Sequence, residues 1–314
     1  MQAANRLQTA LKKGTTFGAW QMLAGTNLAR QIASTGVDWI CVDCEHGNIA
    51  DAQMHEAVTA IAATSVSPIV RIPDNQTWMV KRALDSGAHG IMVPLLETAA
   101  QARELVASAK FPPVGKRGFG SPFPQASFKC VNSAGEYLQQ ANDALVTIVQ
   151  IETKEALANV EDIAAVDGID ILFIGPFDLG NNVRHVTSLD DANAANHTDQ
   201  IGHPYVGEMH EELKSAIEKI HGAAHAKGKK VGIYCTSGAQ AREYADKGFD
   251  MVSQVKNHIN PAQLTRVQIN VTGDVMALQN YISQEIQTAK GSLAHSAFQL
   301  AKGAASRVTG PYGK

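Results

Sequence analysis

Eight short apolar runs, separated by segments of helical periodicity, leave few folds open to this chain. The runs are TFGAWQ (16–21), WICVDC (39–44), SPIVRI (67–72), GIMVPL (90–95), LVTIVQIE (145–152), DILFIG (170–175), KVGIYC (230–235) and DMVSQV (250–255). They are rich in Val, Ile and Leu, and most are bounded by Gly, Pro or Asp, as buried strands are. Between them lie helix patterns such as DAQMHEAVTAIAAT (51–64), AAQARELVASAK (99–110), KEALANVEDIAAV (154–166) and EMHEELKSAIEKIHGAAHAKG (208–228), with a further helix over ANRLQTALKK (4–13) ahead of the first run. Eight strands each followed by a helix predict a closed parallel (β/α)8 barrel of the TIM class, an α/β fold. An open doubly wound sheet shares the alternation, but no G-x-G-x-x-G follows the first run.

Two segments interrupt the rhythm. Residues 111–135 form a Gly/Pro/Phe-rich loop, and 180–206 form a polar, His- and Asn-rich insert; loops of such length in a compact domain are commonly functional. After residue 270, MALQNYISQEIQTAK and SLAHSAFQLAKGAAS predict two amphipathic helices outside the eightfold repeat. The expected organisation is one barrel domain over 1–270 and a helical extension over 271–314, packed on the barrel or on a neighbouring subunit.

Composition removes several function classes. A formal charge of −3 and a pI near 6.4 provide no basic field for nucleic acid or anionic membrane. No apolar run reaches the length of a membrane span, the start of the chain lacks a signal-peptide pattern, and four cysteines are too few for a disulfide framework. The expectation is a reducing, cytoplasmic setting. Cys41 and Cys44 spell C-x-x-C, but an odd separation on a strand turns the two sulfurs to opposite faces, so they are read as small buried hydrophobes.

In such a barrel the chemistry sits where strands end. The second run ends Asp43-Cys44-Glu45-His46, the third at Arg71, the fifth at Gln150-Ile151-Glu152, and the sixth continues into Gly175-Pro176-Phe177-Asp178. Gln150 and Glu152, two apart, share a strand face and point into the mouth. Glu152 and Asp178 are hard carboxylates suited to Mg²⁺, Mn²⁺ or Co²⁺, although Asp178 after Gly-Pro also fits a helix cap. Arg71 fits a fork onto a carboxylate or a developing enolate oxygen, or a salt bridge to a neighbouring strand acid. His46 fits a general base oriented by Asp43 or Asp85. His221 and His225, i and i+4 on a helix, are read as a solvated face for want of a third ligand. Lys116, Lys154 and Lys256 near strand ends leave a Schiff-base route open.

The segments GVDWICVDCEHG (36–47), PIVRI (68–72), KRALDSGAHGIMVP (81–94), PPVGKRGFG (112–120), VQIETKEALANV (149–160) and FIGPFDLG (173–180) resemble, in order, the HpcH/HpaI family of metal-dependent pyruvate aldolases. CVDCEHGN and KRGFGSPF are most similar to its fungal branch that includes macrophomate synthase. The resemblance implies a divalent metal, Mg²⁺ first among the candidates, on Glu152 and Asp178. It implies a 2-oxo acid of the pyruvate or oxaloacetate type cradled by Gln150 and the backbone at Gly175 and Phe177, an enolate stabilised by Arg71, and His46 as acid/base with Asp43 or Asp85. It also implies a homo-oligomer in which Asp85 reaches a neighbour's site.

The expected activity is aldol cleavage or condensation of 4-hydroxy-2-oxo acids, or oxaloacetate decarboxylation, through a pyruvate enolate. Alternatives are carbon–carbon bond formation between enolpyruvate and a 2-pyrone, and a non-catalytic barrel that binds a small acid. Phe177 stands where the family commonly has a small residue, and the last strand continues SQVKNHIN without the family's usual acid.

Overall fold

A computed structural model describes Met1 and residues 3–129, 134–183, 209–253 and 274–275. All eight apolar runs form strands: β1 Thr16–Gln21, β2 Trp39–Asp43, β3 Ser67–Arg71, β4 Gly90–Val93, β5 Val146–Ile151, β6 Ile171–Ile174, β7 Lys230–Ile233 and β8 Met251–Ser253. Each pairs in parallel with its sequence neighbours, and β8 closes on β1, giving a barrel in the order β1 to β8. Several strands stop one or two residues before their apolar runs do, because the last residues already turn into the loops that carry the polar groups.

Strand parity sorts the core into two layers. Trp39 and Cys41 of β2, Ile69 of β3, Val146 and Ile148 of β5, and Ile171 and Phe173 of β6 fill the barrel interior with Trp20 and Met251. Their neighbours Ile40, Val42, Val70, Val149, Leu172 and Ile174 face the surrounding helices. Cys41 therefore lies inside the barrel and Cys44 packs against the outer layer; neither is in a disulfide, in line with the alternation argument. Gly18 is required on β1 because a Cβ there would lie 2.1 Å from the Trp39 indole.

Helix α1 (Arg6–Leu11) plugs the end of the barrel where the strands begin. Leu7 and Leu11 enter the interior layer, each worth roughly 1.5–3 kcal/mol of burial. Asn5 caps α1 through its side-chain oxygen, while its Nδ2 donates to the carbonyls of His89 (2.9 Å) and Ala144 (2.8 Å). His89 completes this polar seam: Ser67 Oγ lies 3.0 Å from Nδ1, and Nε2 lies 3.0 Å from the Ser127 carbonyl. A carbonyl can only accept, so Nε2 carries the proton.

The outer helices are α2 (Thr26–Ala33), α3 (Asp51–Ala63), α4 (Thr77–Asp85), α5 (Ala99–Ala109), α6 (Pro124–Ser127), α7 (Ala134–Ala144), α8 (Lys154–Ala158), α9 (Val160–Ala164), α10 (Pro176–Val183), α11 (Glu211–Ala226) and α12 (Gly238–Asp246). Three details differ from expectation. The pattern over 154–166 breaks into α8 and α9 at Asn159, whose side chain leaves the helix surface to donate to the Glu97 carbonyl. The loop over 111–135 contains a short turn of helix, α6, begun by Pro124. Residues 180–183, read as the start of the insert, belong to α10, which has Pro176 as its first helical residue and Asp178 in its first turn. The rest of the 180–206 insert, the SQVKNHIN segment beyond Ser253, and the 271–314 extension apart from Asp274 and Val275 lie outside the described residues, as does the boundary drawn at 270. Among the described residues no helix is long and apolar enough to cross a membrane.

Candidate active site

The loops that follow the strands surround a cavity of about 300 Å³ lined by residues of β1, β2, β3, β5, β6 and the loops after them. Arg71, the last residue of β3, is fixed at its rim. Its Nε and Nη2 donate in parallel to the two oxygens of Asp43 at 2.9 and 2.6 Å, Nη1 lies 3.0 Å from Glu45 Oε2, and the guanidinium sits 5.4 Å from the centre of the Trp20 ring. This forked, charge-assisted pair is the strongest kind a guanidinium makes, and Asp43 is fully buried beneath it. Arg71 is ion-paired to neighbouring acids, as the salt-bridge reading has it, and it also lines the cavity.

Gln150 and Glu152 point inward from β5, as their spacing requires. Gln150 Nε2 donates to Glu152 Oε2 (2.9 Å), and the Leu95 amide donates to Glu152 Oε1 (2.8 Å). Leu95 adopts the left-handed backbone conformation (φ 49°) unusual for a side-chain-bearing residue, and that conformation accompanies the aimed amide. Burial pushes the Glu152 carboxyl up to about 7, and the charges of Asp178 and Glu45 push the same way. Glu45 is also raised, first by burial, against the lowering pull of Arg71 and His46. Asp178, in the first turn of α10, lines the same cavity. Gly175 lies so close to Glu152 that a Cβ there would fall 2.0 Å from Oε2.

These features fit a divalent cation. Several carboxylates face one cavity whose lining, among the described residues, contains a single permanent cation, Arg71, already shared by Asp43 and Glu45. Among those residues no group of three or more His, Cys, Asp or Glu could cage a metal. Glu152 and Asp178 alone would leave positions open for water and substrate oxygens, the habit of Mg²⁺ and Mn²⁺.

His46 also lines the cavity, but within the chain neither Asp43 nor Asp85 pairs with its ring. Asp43 accepts the backbone amides of Glu45 and His46 (3.1 and 3.2 Å), shaping the turn, while its carboxylate oxygens are taken by Arg71 and do not reach the imidazole. The nearest carboxylate to the ring is Glu45, 3.6 Å from Nε2, and the ring is 63% exposed. Asp85, the last residue of α4, is not brought to this cavity within the chain. Its carboxylate accepts from Arg117 Nη2 (2.8 Å) and lines a different surface cleft with His55, Trp78, Lys81 and Phe123.

The remaining predicted positions, Gly175 and Phe177, line the cavity. Sequence reasoning assigned no role to Glu45, and it passed over Trp20, Met22, Phe173 and Tyr234, which with Pro176 complete the lining. Trp20 and Phe173 carry an inward parity that was legible; Tyr234, beyond the end of β7, carries none. Lys116 pairs loosely with Glu104 at 3.9 Å, neither Lys116 nor Lys154 lines the cavity, and Lys256 lies outside the described residues.

Comparison with known proteins agrees with this geometry. Residues 16–261 match the model of the HpcH/HpaI aldolase/citrate lyase family. A protein of Chromohalobacter salexigens named hydroxypyruvate/pyruvate aldolase is 35% identical over 250 residues, 79% of this chain and 90% of that one. The crystal structure of an HpcH/HpaI aldolase/citrate lyase family protein from Burkholderia cenocepacia J2315 superposes with a TM-score of 0.72 at 29% identity, over 91% of this chain and 99% of the other. Macrophomate synthase superposes with a TM-score of 0.70 over 94% of this chain and 91% of its own, but at 23% identity it shares the fold alone.

Proposed function

The chain belongs to the HpcH/HpaI aldolase/citrate lyase family and is an aldolase-type carbon–carbon lyase; we propose that it is divalent-metal-dependent and acts through a pyruvate enolate, on 4-hydroxy-2-oxo acids, oxaloacetate or both. The observation that carries this reading is one cavity lined by the buried Glu152, by Asp178 and by an Arg71 guanidinium fixed by Asp43. Glu152 and Asp178 are the residues that would hold the metal, which would supply positive charge to offset the developing enolate.

Each of the chain's own groups has a role in this account. Gln150, by donating to Glu152, fixes the orientation of that carboxylate and faces the 2-oxo acid, as does the backbone at Gly175 and Phe177. Arg71 supplies preorganised positive charge where the enolate oxygen develops, and Asp43 and Glu45 keep it from turning away. His46 removes the 4-hydroxyl proton as the C3–C4 bond breaks, leaving the bond pair on C3 as the enolate and the electrophile as an aldehyde. Oxaloacetate decarboxylation leaves the same electron pair on C3 with no hydroxyl proton to remove.

The same reading makes the protein a cytoplasmic homo-oligomer in which Asp85 orients a neighbour's His46. Support comes from the surroundings of Asp85: Trp78 and Phe123 line its cleft and are 58% and 56% exposed, apolar surface suited to a subunit contact. The function is tested with His46→Ala assayed on two reactions. Cleavage of a 4-hydroxy-2-oxo acid should fall by a factor on the order of 10²–10⁴, the usual contribution of a general base, while oxaloacetate decarboxylation is largely kept. Equal loss of both would remove His46 from the acid/base role.

A further inference from the structure

The chain leaves the barrel ladder after β1 at Met22 and Leu23, and the acceptor for both of their amides comes from far along the sequence. The Met22 N–H donates to Asp274 Oδ1 (3.0 Å) and the Leu23 N–H to Oδ2 (2.9 Å), while the Val275 amide also donates to Oδ1 (2.8 Å). A carboxylate forked across two consecutive amides makes charge-assisted bonds, stronger than those between neutral groups. Asp274 is half-buried, lies past β8 and outside the eightfold repeat, and is not among the site residues read from the sequence.

The two residues it holds stand beside the cavity. The Met22 side chain lines the cavity and packs against the interior layer. The Met22 carbonyl accepts from the Asn48 amide (2.8 Å), and Leu23 and Asn48 form a parallel bridge between the loops after β1 and β2. Gly47 is pressed between the same backbones: a Cβ there would lie 2.2 Å from the Asp43 carbonyl oxygen and 3.0 Å from that of Met22. Gly47 and Asn48 directly follow His46. Among the described residues the His46 ring makes no short hydrogen bond, its nearest carboxylate standing at 3.6 Å, so the backbone of this loop decides where the ring stands. That backbone rests on Met22 and Leu23, which rest in turn on Asp274.

Resting on the acid/base reading of His46 above, we propose that Asp274 is a positioning residue of the active site: by holding the Met22 and Leu23 amides it fixes the loop after β1, and through that loop the backbone that carries His46. Without the carboxylate, two adjacent amides lose their acceptor, and the seam between the loops opens more often to solvent. Arg71 and Glu152 have partners of their own and keep their places.

The test compares Asp274→Ala, Asp274→Asn and His46→Ala in the full chain with Mg²⁺, by amide hydrogen exchange and by the two reactions named above. In Asp274→Ala, peptides containing Met22, Leu23 and Asn48 are expected to exchange about tenfold faster than in the wild type. The kcat for cleavage of a 4-hydroxy-2-oxo acid should fall about tenfold with KM little changed and oxaloacetate decarboxylation largely kept, the pattern of His46→Ala in smaller degree. Asp274→Asn, which keeps an acceptor for one of the two amides, should fall between Asp274→Ala and the wild type in both readouts. A merely structural role would lower both reactions by the same factor. Unchanged exchange in Asp274→Ala, or faster exchange with kinetics that do not follow those of His46→Ala, would overturn the role of Asp274. Loss of both reactions alike in His46→Ala, with Asp274→Ala following it and exchanging faster, would overturn the acid/base reading and leave the positioning role in place.

Discussion

Arg71 shows how one side chain serves structure and chemistry together. Its forked bond to Asp43 holds the guanidinium in one orientation, so its charge needs no reorganisation when an enolate develops nearby. Losing one preorganised stabilising group of this kind costs on the order of 3 kcal/mol at the transition state, so Arg71→Ala should slow pyruvate formation at least a hundredfold. A near-normal rate in steady-state assays would mean that Arg71 is only a strut between β2 and β3. The inward direction of Gln150 and Glu152 was legible because a strand has period two. The contest for Asp43 was not: its spacing from His46 permits a contact, but only the folded barrel shows that β3 sets Arg71 beside β2, where a charged fork outcompetes an imidazole.

At the scale of elements, the strand runs announced themselves because apolar strands bounded by turn residues have no other use. The α8/α9 break did not, since it depends on a partner brought from elsewhere, the Glu97 carbonyl that accepts from Asn159, whereas Pro176 is a local start signal for α10. The α1 plug has its own consequence. Burial lowers the His89 pKa from the ordinary 6.5 to about 4, with Lys129 adding to the lowering, while the bond to Ser127 opposes it. Between those values the unfolded chain binds a proton that the folded chain refuses. Stability is therefore whole above about pH 6.5, is lost as pH falls toward 4, and the loss from this group levels off below, at about 3 kcal/mol in all. Urea unfolding at a series of pH values should show His89→Asn losing less stability than the wild type across that interval. Parallel curves would show that His89 is not the titrating group.

At the scale of the whole molecule, the barrel gathers charges that no local segment could hold together. Groups from β2, β3, β5 and the β6 loop share one cavity, and a buried Glu152 and an Asp178 lining it beside a single guanidinium already taken by Asp43 are the reason to expect a cation. Asp85 is the one proposed site residue that the single chain leaves elsewhere, paired with Arg117. If it completes a neighbour's site, mixing His46→Ala and Asp85→Ala chains under conditions of subunit exchange should restore cleavage that neither has alone. Failure to restore it, with mixed assemblies demonstrated, would return Asp85 to a structural role.

The central claim, a metal-assisted enolate site, is met most directly by one measurement: pyruvate release from oxaloacetate by the purified protein, with and without EDTA, followed by add-back of Mg²⁺, Mn²⁺ or Co²⁺. The account predicts release that EDTA abolishes and a divalent ion restores, with Glu152→Gln and Asp178→Asn both failing to recover. Release indifferent to EDTA would contradict it.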